Sequence, residues 1–479
     1  MIKIKTACGY KINVNLDITT TLASGYHNID SMFLRLQKGD QLEFEVAADE
    51  TQLSSGDWNK CLDLLQVEDQ GEDSGLKAPK LQISAGDDLA TEDNTYFAEQ
   101  VKMLQRSSAD NSVLKAWRYC RKLLELSLWR RVLLQFEEVL DEQQQILHKA
   151  AAAENPDLLN RVINYCRQSA HNLGPQQLDT VAVLCDLWQE LNAGQVYKLI
   201  ALLQKPCTFY LTKNIPLQSG LGAGSFDAAA VFKLIYAAMQ AVSADDNGYK
   251  LPPYKDFYSC FDLENVAYQI GADVPFALLD DVAVARVEGI GENILPLAYK
   301  VPAAEAAAVP KADVDGQTDT LQTEIPENKL YFIVVMANYT MDTKLAYKLY
   351  DQKQKENKKL PRPDKHYGSD FSKVREYFFA KKFNLLSEAA QNTFTDLMLQ
   401  VHPDYADFLV ELKKCPQAEF VTMTGSGSAC VLFFSDYGKR EEAWNYYHNL
   451  QLQGKELLPG VKIMWVEKAE SVPYASLGE

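Results

Sequence analysis

The run Lys213-Asn-Ile-Pro-Leu-Gln-Ser-Gly-Leu-Gly-Ala-Gly-Ser-Phe-Asp-Ala-Ala-Ala230 constrains this chain more than any other part of it. Before it, Cys207 to Thr212 alternates as a strand does, and after it Ala228 to Ala241 keeps helical spacing. The order is therefore strand, glycine-rich loop, helix. Gly220, Gly222 and Gly224 let the backbone come close to a ligand in conformations that a Cβ forbids. The helix that follows aims its unpaired N–H groups and the positive end of its dipole at the loop, so a phosphate chain is the natural occupant. No Lys-Ser/Thr follows the last glycine, which excludes a Walker A loop, and the spacing is not that of G-x-G-x-x-G. Taken alone, such a turn is as often structural as ligand-binding. Asp227, at or just inside the helix start, is a candidate cap.

A chain of 479 residues is too long for one core, so two or three domains are expected. The first fifty residues read as β-structure: Lys11 to Ile18 alternates, Ser24-Gly25 breaks the pattern, and Gln41 to Val46 alternates again. Residues 51–95 are polar and acidic, and read as a loop or partly disordered approach. Residues 96–172 read as successive helices. Leu114, Trp117, Leu124 and Leu128 form one stripe, Val132, Phe136 and Val139 another, and Asn155-Pro156 divides two helices. That block is expected to pack its own small core. An α/β pattern returns with a helix at Leu178 to Leu191. A linker rich in Ala, Pro, Asp and Thr precedes the buried strand that starts at Leu330, and Lys353 to Lys365 reads as a solvated loop.

Composition removes several classes of function. A formal charge of -17 argues against nucleic acid as a partner, since that needs clustered Lys and Arg. The nine cysteines stand singly, with no C-x-x-C pair, as reduced cytosolic thiols do rather than a disulfide framework or a zinc site. Met1 to Val14 lacks an apolar signal region and no run approaches 18 apolar residues, so a cytoplasmic protein without a membrane span is expected.

The glycine loop gains meaning from its company. Upstream stand Lys11-Ile-Asn13 and Ser24-Gly25-Tyr26-His27-Asn28. Downstream come Ile270-Gly271-Ala272-Asp273-Val274-Pro275-Phe276, Gly289-Ile-Gly291-Glu292, Asn392-Thr-Phe394 and Met423-Thr-Gly425-Ser426-Gly427-Ser428-Ala429-Cys430. In order and wording these pieces resemble the GHMP kinases, most nearly the branch that phosphorylates 4-diphosphocytidyl-2-C-methyl-D-erythritol. Members of that branch usually show A-K-I-N, G-Y-H, G-L-G-G-G-S-S-D-A-A, G-A-D-V-P and a final S-G-S-G loop. The likeness covers residues 1–50, 178–300 and 328–470. Lys11 alone would read as an exposed charge, Asp273 as an N-cap, His27 as a structural histidine and Gly425-Ser426-Gly427 as a turn. Their joint occurrence in this order is what separates the two readings.

The resemblance implies an α+β protein of two lobes. A ribosomal-S5-like N-terminal lobe would comprise 1–50 and 178–300, interrupted by an inserted helical subdomain at 51–177. After a linker at 301–327, a ferredoxin-like C-terminal lobe would run from 328 to 479. ATP, Mg2+ and a small-molecule acceptor, a cytidine diphosphate alcohol, would meet between the lobes. Asp273 would take the acceptor's hydroxyl proton, Lys11 would lie beside it, and Asn13 would orient the hydroxyl. Tyr26 and His27 would hold the cytosine by stacking and hydrogen bonding. Ser219, Gly220, Leu221, Gly222, Ala223, Gly224 and Ser225 would bind the ATP phosphates. Gly425, Ser426, Gly427 and Ser428 would close over phosphates from the C-terminal side. Phe226 stands where the family has a second serine and Ala223 where it has a glycine. Asp179 to Leu191 matches the adenine-side segment poorly, and nothing in the family resembles 51–177. A GHMP kinase for another alcohol, or a relative that binds ligands without turnover, are the alternatives. Oligomeric state is not legible.

Overall fold

The computed structural model describes residues 1–36, 38–47, 57–64, 79–86, 95–106, 111–141, 156–244, 250–301, 329–357, 368–471 and 474–476. All but the first residue of the expected linker at 301–327, and most of the Lys-rich run, fall outside them, although the helix Thr343–Asn357 takes in that run's first residues.

The strands are β1 (Ile2–Ala7), β2 (Tyr10–Thr21), β3 (His27–Leu36), β4 (Gln41–Val46), β5 (Lys80–Ala85), β6 (Cys207–Lys213), β7 (Val282–Gly289), β8 (Asn293–Lys300), β9 (Tyr331–Ala337), β10 (Phe420–Met423), β11 (Cys430–Phe434), β12 (Glu456–Leu458), β13 (Val461–Glu470) and β14 (Tyr474–Ser476). They form three sheets, ordered β1-β4-β6-β5, β14-β8-β7-β3-β2 and β10-β11-β9-β13-β12. In the first, β4 and β6 alternate strictly between buried and half-buried residues, as strands with one covered face do.

The third sheet is wholly antiparallel among its paired strands, and its order β10-β11-β9-β13 is that of a ferredoxin-like layer. Every residue of β9 is buried, because both faces are covered. Phe332, Val334 and Met336 join the core of the N-terminal lobe, while Ile333, Val335 and Ala337 face a separate core with Phe394, Tyr405 and Phe408. Period two thus sorts one apolar strand between two cores. Three further ties cross the lobes: Leu16 pairs with Asn392, Leu36 with Ser471, and β14 runs antiparallel to β8.

The segment 51–177 differs from its expectation as a separate helical body. Residues 80–85, expected in a loop, form β5, which pairs in parallel with β6 from Lys80–Thr208 to Ala85–Lys213. The long helix Ser112–Asp141 brings Trp117 against Phe44 and Phe209, with ring centroids 5.9 and 5.7 Å away. Trp117, Leu123, Leu124 and Leu128 belong to one continuous core with the N-terminal strands. Farther along the same helix, Arg131 donates to the carbonyls of Trp188 and Gln189 at 3.1 and 3.0 Å and lies over the Trp58 ring. The helical stripe is real, and what it buries is the sheet.

The helix Ala223–Ser243 is the one described helix long and apolar enough to cross a bilayer. Most of that stretch is buried against neighbouring strands and helices, as a core helix is.

Candidate active site

The glycine loop ends at Gly222, which caps the helix Ala223–Ser243 with a φ of 66°. A Cβ there would come within 2.8 Å of the Asp273 carboxylate, so glycine is needed for both conformation and space. Ser225 N–H donates to the Gly222 carbonyl at 2.9 Å. The helix N–H groups before it therefore open toward the cleft, with the dipole behind them. At Gly220 a Cβ would overlap the Thr424 carbonyl oxygen. The two glycine loops are thus pressed together: Ser428 N–H donates to the Gln218 carbonyl at 3.2 Å and Ala429 N–H to that of Ser219 at 3.3 Å.

Lys11 and Asn13 rise from β2 into this junction. Lys11 is almost fully buried, and its Nζ donates to Asn13 Oδ1 at 2.6 Å and to the Gly220 carbonyl at 3.2 Å, with Asp273 Oδ2 at 3.4 Å. Asn13 Oδ1 also accepts from Gly425 N–H at 3.0 Å and from Thr424 Oγ1 at 3.2 Å, while its amide donates to Ser31 Oγ at 2.9 Å. Asn13 Oδ1 thus takes three donors, so it fixes the loops and Lys11 alike. Asp273 stands at the N-cap position of the helix Val274–Leu278, yet its side chain makes no cap hydrogen bond. The carboxylate faces Lys11 and stays partly exposed in the cleft. Capping alone therefore does not explain this aspartate.

A cleft of about 420 Å³ gathers Lys11, Asn13, Asp273, the loop from Ser219 to Ser225, and Gly425 with Ser426. Not every residue of the two loops faces it usefully. Ser219 Oγ donates to the Pro216 carbonyl at 2.9 Å, and buried Ser428 donates to the Tyr339 carbonyl at 2.6 Å. Gly427 packs against Met398 and Met423. These three build the loops, which leaves Ser225 and Ser426 as the hydroxyls that the two loops present to the cleft.

Tyr26 and His27 lie outside that lining. Tyr26 is exposed and meets Tyr268 edge-on at 4.8 Å. His27 is buried, stacked on Tyr347 at 4.6 Å, with Nε2 2.8 Å from Asp351 Oδ1. The carboxylate selects the tautomer with its proton on Nε2 and leaves Nδ1 as an acceptor. Tyr347 itself lines the cleft, so His27 touches the site through that ring.

One charged residue of the loop segment does other work than the sequence implied. Asp227 does not cap: it lies inside the helix, buried, and binds Lys213 Nζ at 2.9 Å. Lys213 also pairs with Asp40, whose Oδ1 accepts from Asn214 and Ile215 N–H groups. Burial, then the charge of Asp40, raise the Asp227 carboxyl to about 7 against the pull of Lys213. Phe226 points away from the cleft, edge-on to Phe276, with the Arg35 guanidinium 4.9 Å from its ring.

Sequence reasoning missed Thr424, Ser31, Tyr347 and Asp351, and it missed the supports that 51–177 supplies. Ser112, the first residue of the long helix, lines the cleft, and Gln100 Oε1 accepts from Leu217 N–H at 2.9 Å. Thr424 sits inside the quoted Met423–Cys430 run, so position could have suggested it. Asp351 carried no signal, being embedded among lysines.

Among the described residues no group of three or more His, Cys, Asp and Glu is placed to hold a metal. Ser225 and Asp273 both line the cleft.

Residues 193–281, with the glycine loop and Asp273 at their heart, match the GHMP kinases N terminal domain. Through this segment the chain is similar to the GHMP kinases. Among curated proteins it is similar to 4-diphosphocytidyl-2-C-methyl-D-erythritol kinases. That of Pseudothermotoga lettingae is 28% identical over 48% of this chain and 63% of its own length. That of Roseobacter denitrificans is 34% identical over 26% of this chain and 40% of its own. The matched stretches thus span less than two thirds of either relative. A solved 4-(cytidine 5'-diphospho)-2C-methyl-D-erythritol kinase superposes with a TM-score of 0.43 at 16% identity, over 98% of this chain and 99% of that one, too loosely to assign a residue.

Proposed function

We propose that the protein transfers the γ-phosphoryl group of ATP to the 2-hydroxyl of 4-diphosphocytidyl-2-C-methyl-D-erythritol, a step in making isoprenoid precursors. The observation that carries the reading is the Lys11–Asp273 pair, 3.4 Å apart, standing before the N-terminus of the helix that follows the glycine loop. Phosphoryl transfer asks a protein mainly for positioning and charge stabilisation, and the cleft offers both.

In this reading the helix N–H groups and Ser225 hold the nucleotide phosphates, and Ser426 reaches them from the other lobe. The acceptor hydroxyl sits beside Asp273, whose carboxylate takes its proton as the oxygen–phosphorus bond forms and the bond to ADP breaks. Lys11 lies beside that carboxylate and faces the charge that gathers on the moving group. Asn13 holds Lys11 in place rather than accepting from the hydroxyl, because its Oδ1 already accepts from Lys11, Thr424 and Gly425. When bound, Mg2+ would neutralise phosphate charge. Tyr26, with an exposed ring, offers a face for a cytosine, and His27 Nδ1 an acceptor for its amino group.

The test is ADP release by the purified protein with ATP, Mg2+ and this acceptor, beside a panel of other alcohols. Turnover confined to the cytidylyl compound supports the assignment. Turnover confined to another alcohol moves the substrate and leaves the kinase. Nucleotide binding without any turnover overturns the catalytic reading.

A further inference from the structure

Behind the glycine loop, on the far side of the helix Ala223–Ser243, lies a second cavity of about 260 Å³. Phe226, Ala229, Ala230 and Lys233 of that helix form one wall, and Arg35 with Lys300 stand opposite. Far more than one water fits in such a space. Its charges do not balance. Arg35, Lys233 and Lys300 bring three positive charges, and Asp280 is the one carboxylate in the lining, which leaves two in excess. Asp280 is already shared, with Lys233 at 2.7 Å and Lys300 at 3.1 Å. Arg35 is buried and spends its donors on the backbone carbonyls of Val282, Phe276 and Leu279 at 2.9, 2.5 and 3.0 Å, with no carboxylate in contact.

Burial lowers the Arg35 guanidinium to about 10; the carboxylates of Asp280 and Asp281 act on it from a distance without touching it, while Lys300 adds repulsion. Burial and the charge of Arg35 lower the Lys300 ammonium to about 8, so the cluster strains against its own repulsion. In a chain whose net charge is -17, a concentration of positive charge in a cavity calls for an anion.

We infer that this cavity is a binding site for a small phosphate or diphosphate group, held by Lys233 and Lys300 with the charge of the buried Arg35 behind them, distinct from the cleft at the other end of the helix. Lys300 and Lys233 take the oxygens and release Asp280 toward solvent. Phe226, Ala229 and Ala230 give the ligand an apolar wall, so the group is free inorganic anion or the head of a small phosphate ester.

The site is tested by calorimetric titration of the whole protein with inorganic pyrophosphate, inorganic phosphate and isobutyl phosphate. A non-hydrolysable ATP analogue with Mg2+ is kept at saturation to fill the cleft. Wild-type protein is expected to bind one equivalent of anion. Lys300→Met and Lys233→Met should each weaken binding about tenfold, near 1.4 kcal/mol. Asp280→Asn should tighten it, because the competing carboxylate is gone, and a misfolded variant cannot gain affinity. Lys439→Met, on the other lobe, should change nothing. Tighter binding of isobutyl phosphate than of phosphate identifies an ester as the ligand, and the reverse identifies the free anion. No saturable binding, or binding that is indifferent to both lysines and to Asp280, overturns the inference. Failure of the ATP analogue to bind would count against the kinase and leave the contrast between Lys300→Met and Asp280→Asn intact.

Discussion

At the scale of single residues, the Lys11–Asp273 pair was legible because two short words, K-I-N and G-A-D-V-P, are far apart in sequence and rare in combination. The structure added what spacing cannot: Asp273 sits at a cap position without capping. Asp273→Asn keeps shape and hydrogen-bonding capacity but removes the proton acceptor. Turnover should fall by about 10²- to 10⁴-fold with ATP affinity unchanged, read by ADP release and by nucleotide titration. Asp351→Asn is expected to free the His27 tautomer and raise the acceptor KM, leaving that for ATP unaltered. Asp227, read from sequence as a cap, instead carries a pH dependence. Its carboxyl, raised to about 7 by burial and by Asp40, binds a proton more readily folded than unfolded. That contribution to stability is full below the ordinary carboxylate range and is lost as pH rises through about 7. Urea midpoints from pH 5 to 8 should show the decline, and Asp227→Asn should flatten it. No sequence pattern marks such a group, because Lys213, Asp40 and Asp227 meet only through folding.

Among elements, strand and helix periods were readable wherever one face met a core. β4 stood at its observed bounds, and β9 was recognisable as an unbroken apolar run. The long helix was legible, but its partner was not: an apolar stripe says that a face is buried, never against what. Trp117 settles the matter by lying on Phe44 and Phe209. Trp117→Ala should therefore destabilise the whole N-terminal lobe by about 3–5 kcal/mol, seen as a lower urea midpoint with a single transition. Two transitions, with one unchanged, would restore the picture of an independent helical subdomain. β5 escaped notice because its residues Lys80–Ala85 are a short, half-polar strand in an acidic surrounding, and strand pairing is a non-local fact.

On the scale of the molecule, acidity and function pull in opposite directions. A net charge of -17 repels a nucleotide at a distance, while the helix N-terminus and Lys11 attract it at contact. Salt screens the first more than the second, since contact distances are well inside a Debye length. Raising ionic strength from about 0.01 M to about 0.1 M should thus lower the KM for ATP, the reverse of what a basic nucleotide-binding surface shows. Initial rates across that range decide the point.

The pairing of β14 with β8 has a consequence for how the protein is made. The edge strand that completes the sheet of the N-terminal lobe comes from residues 474–476, which leave the ribosome long after β8. During synthesis the earlier half emerges with the outer edge of β8, away from β7, unpaired and with the apolar face that β9 and β11 later cover lying bare. Nascent chains usually fold domain by domain from the front. Here the front half waits for the back, and for that interval an open strand edge is available to chaperones or to neighbouring chains.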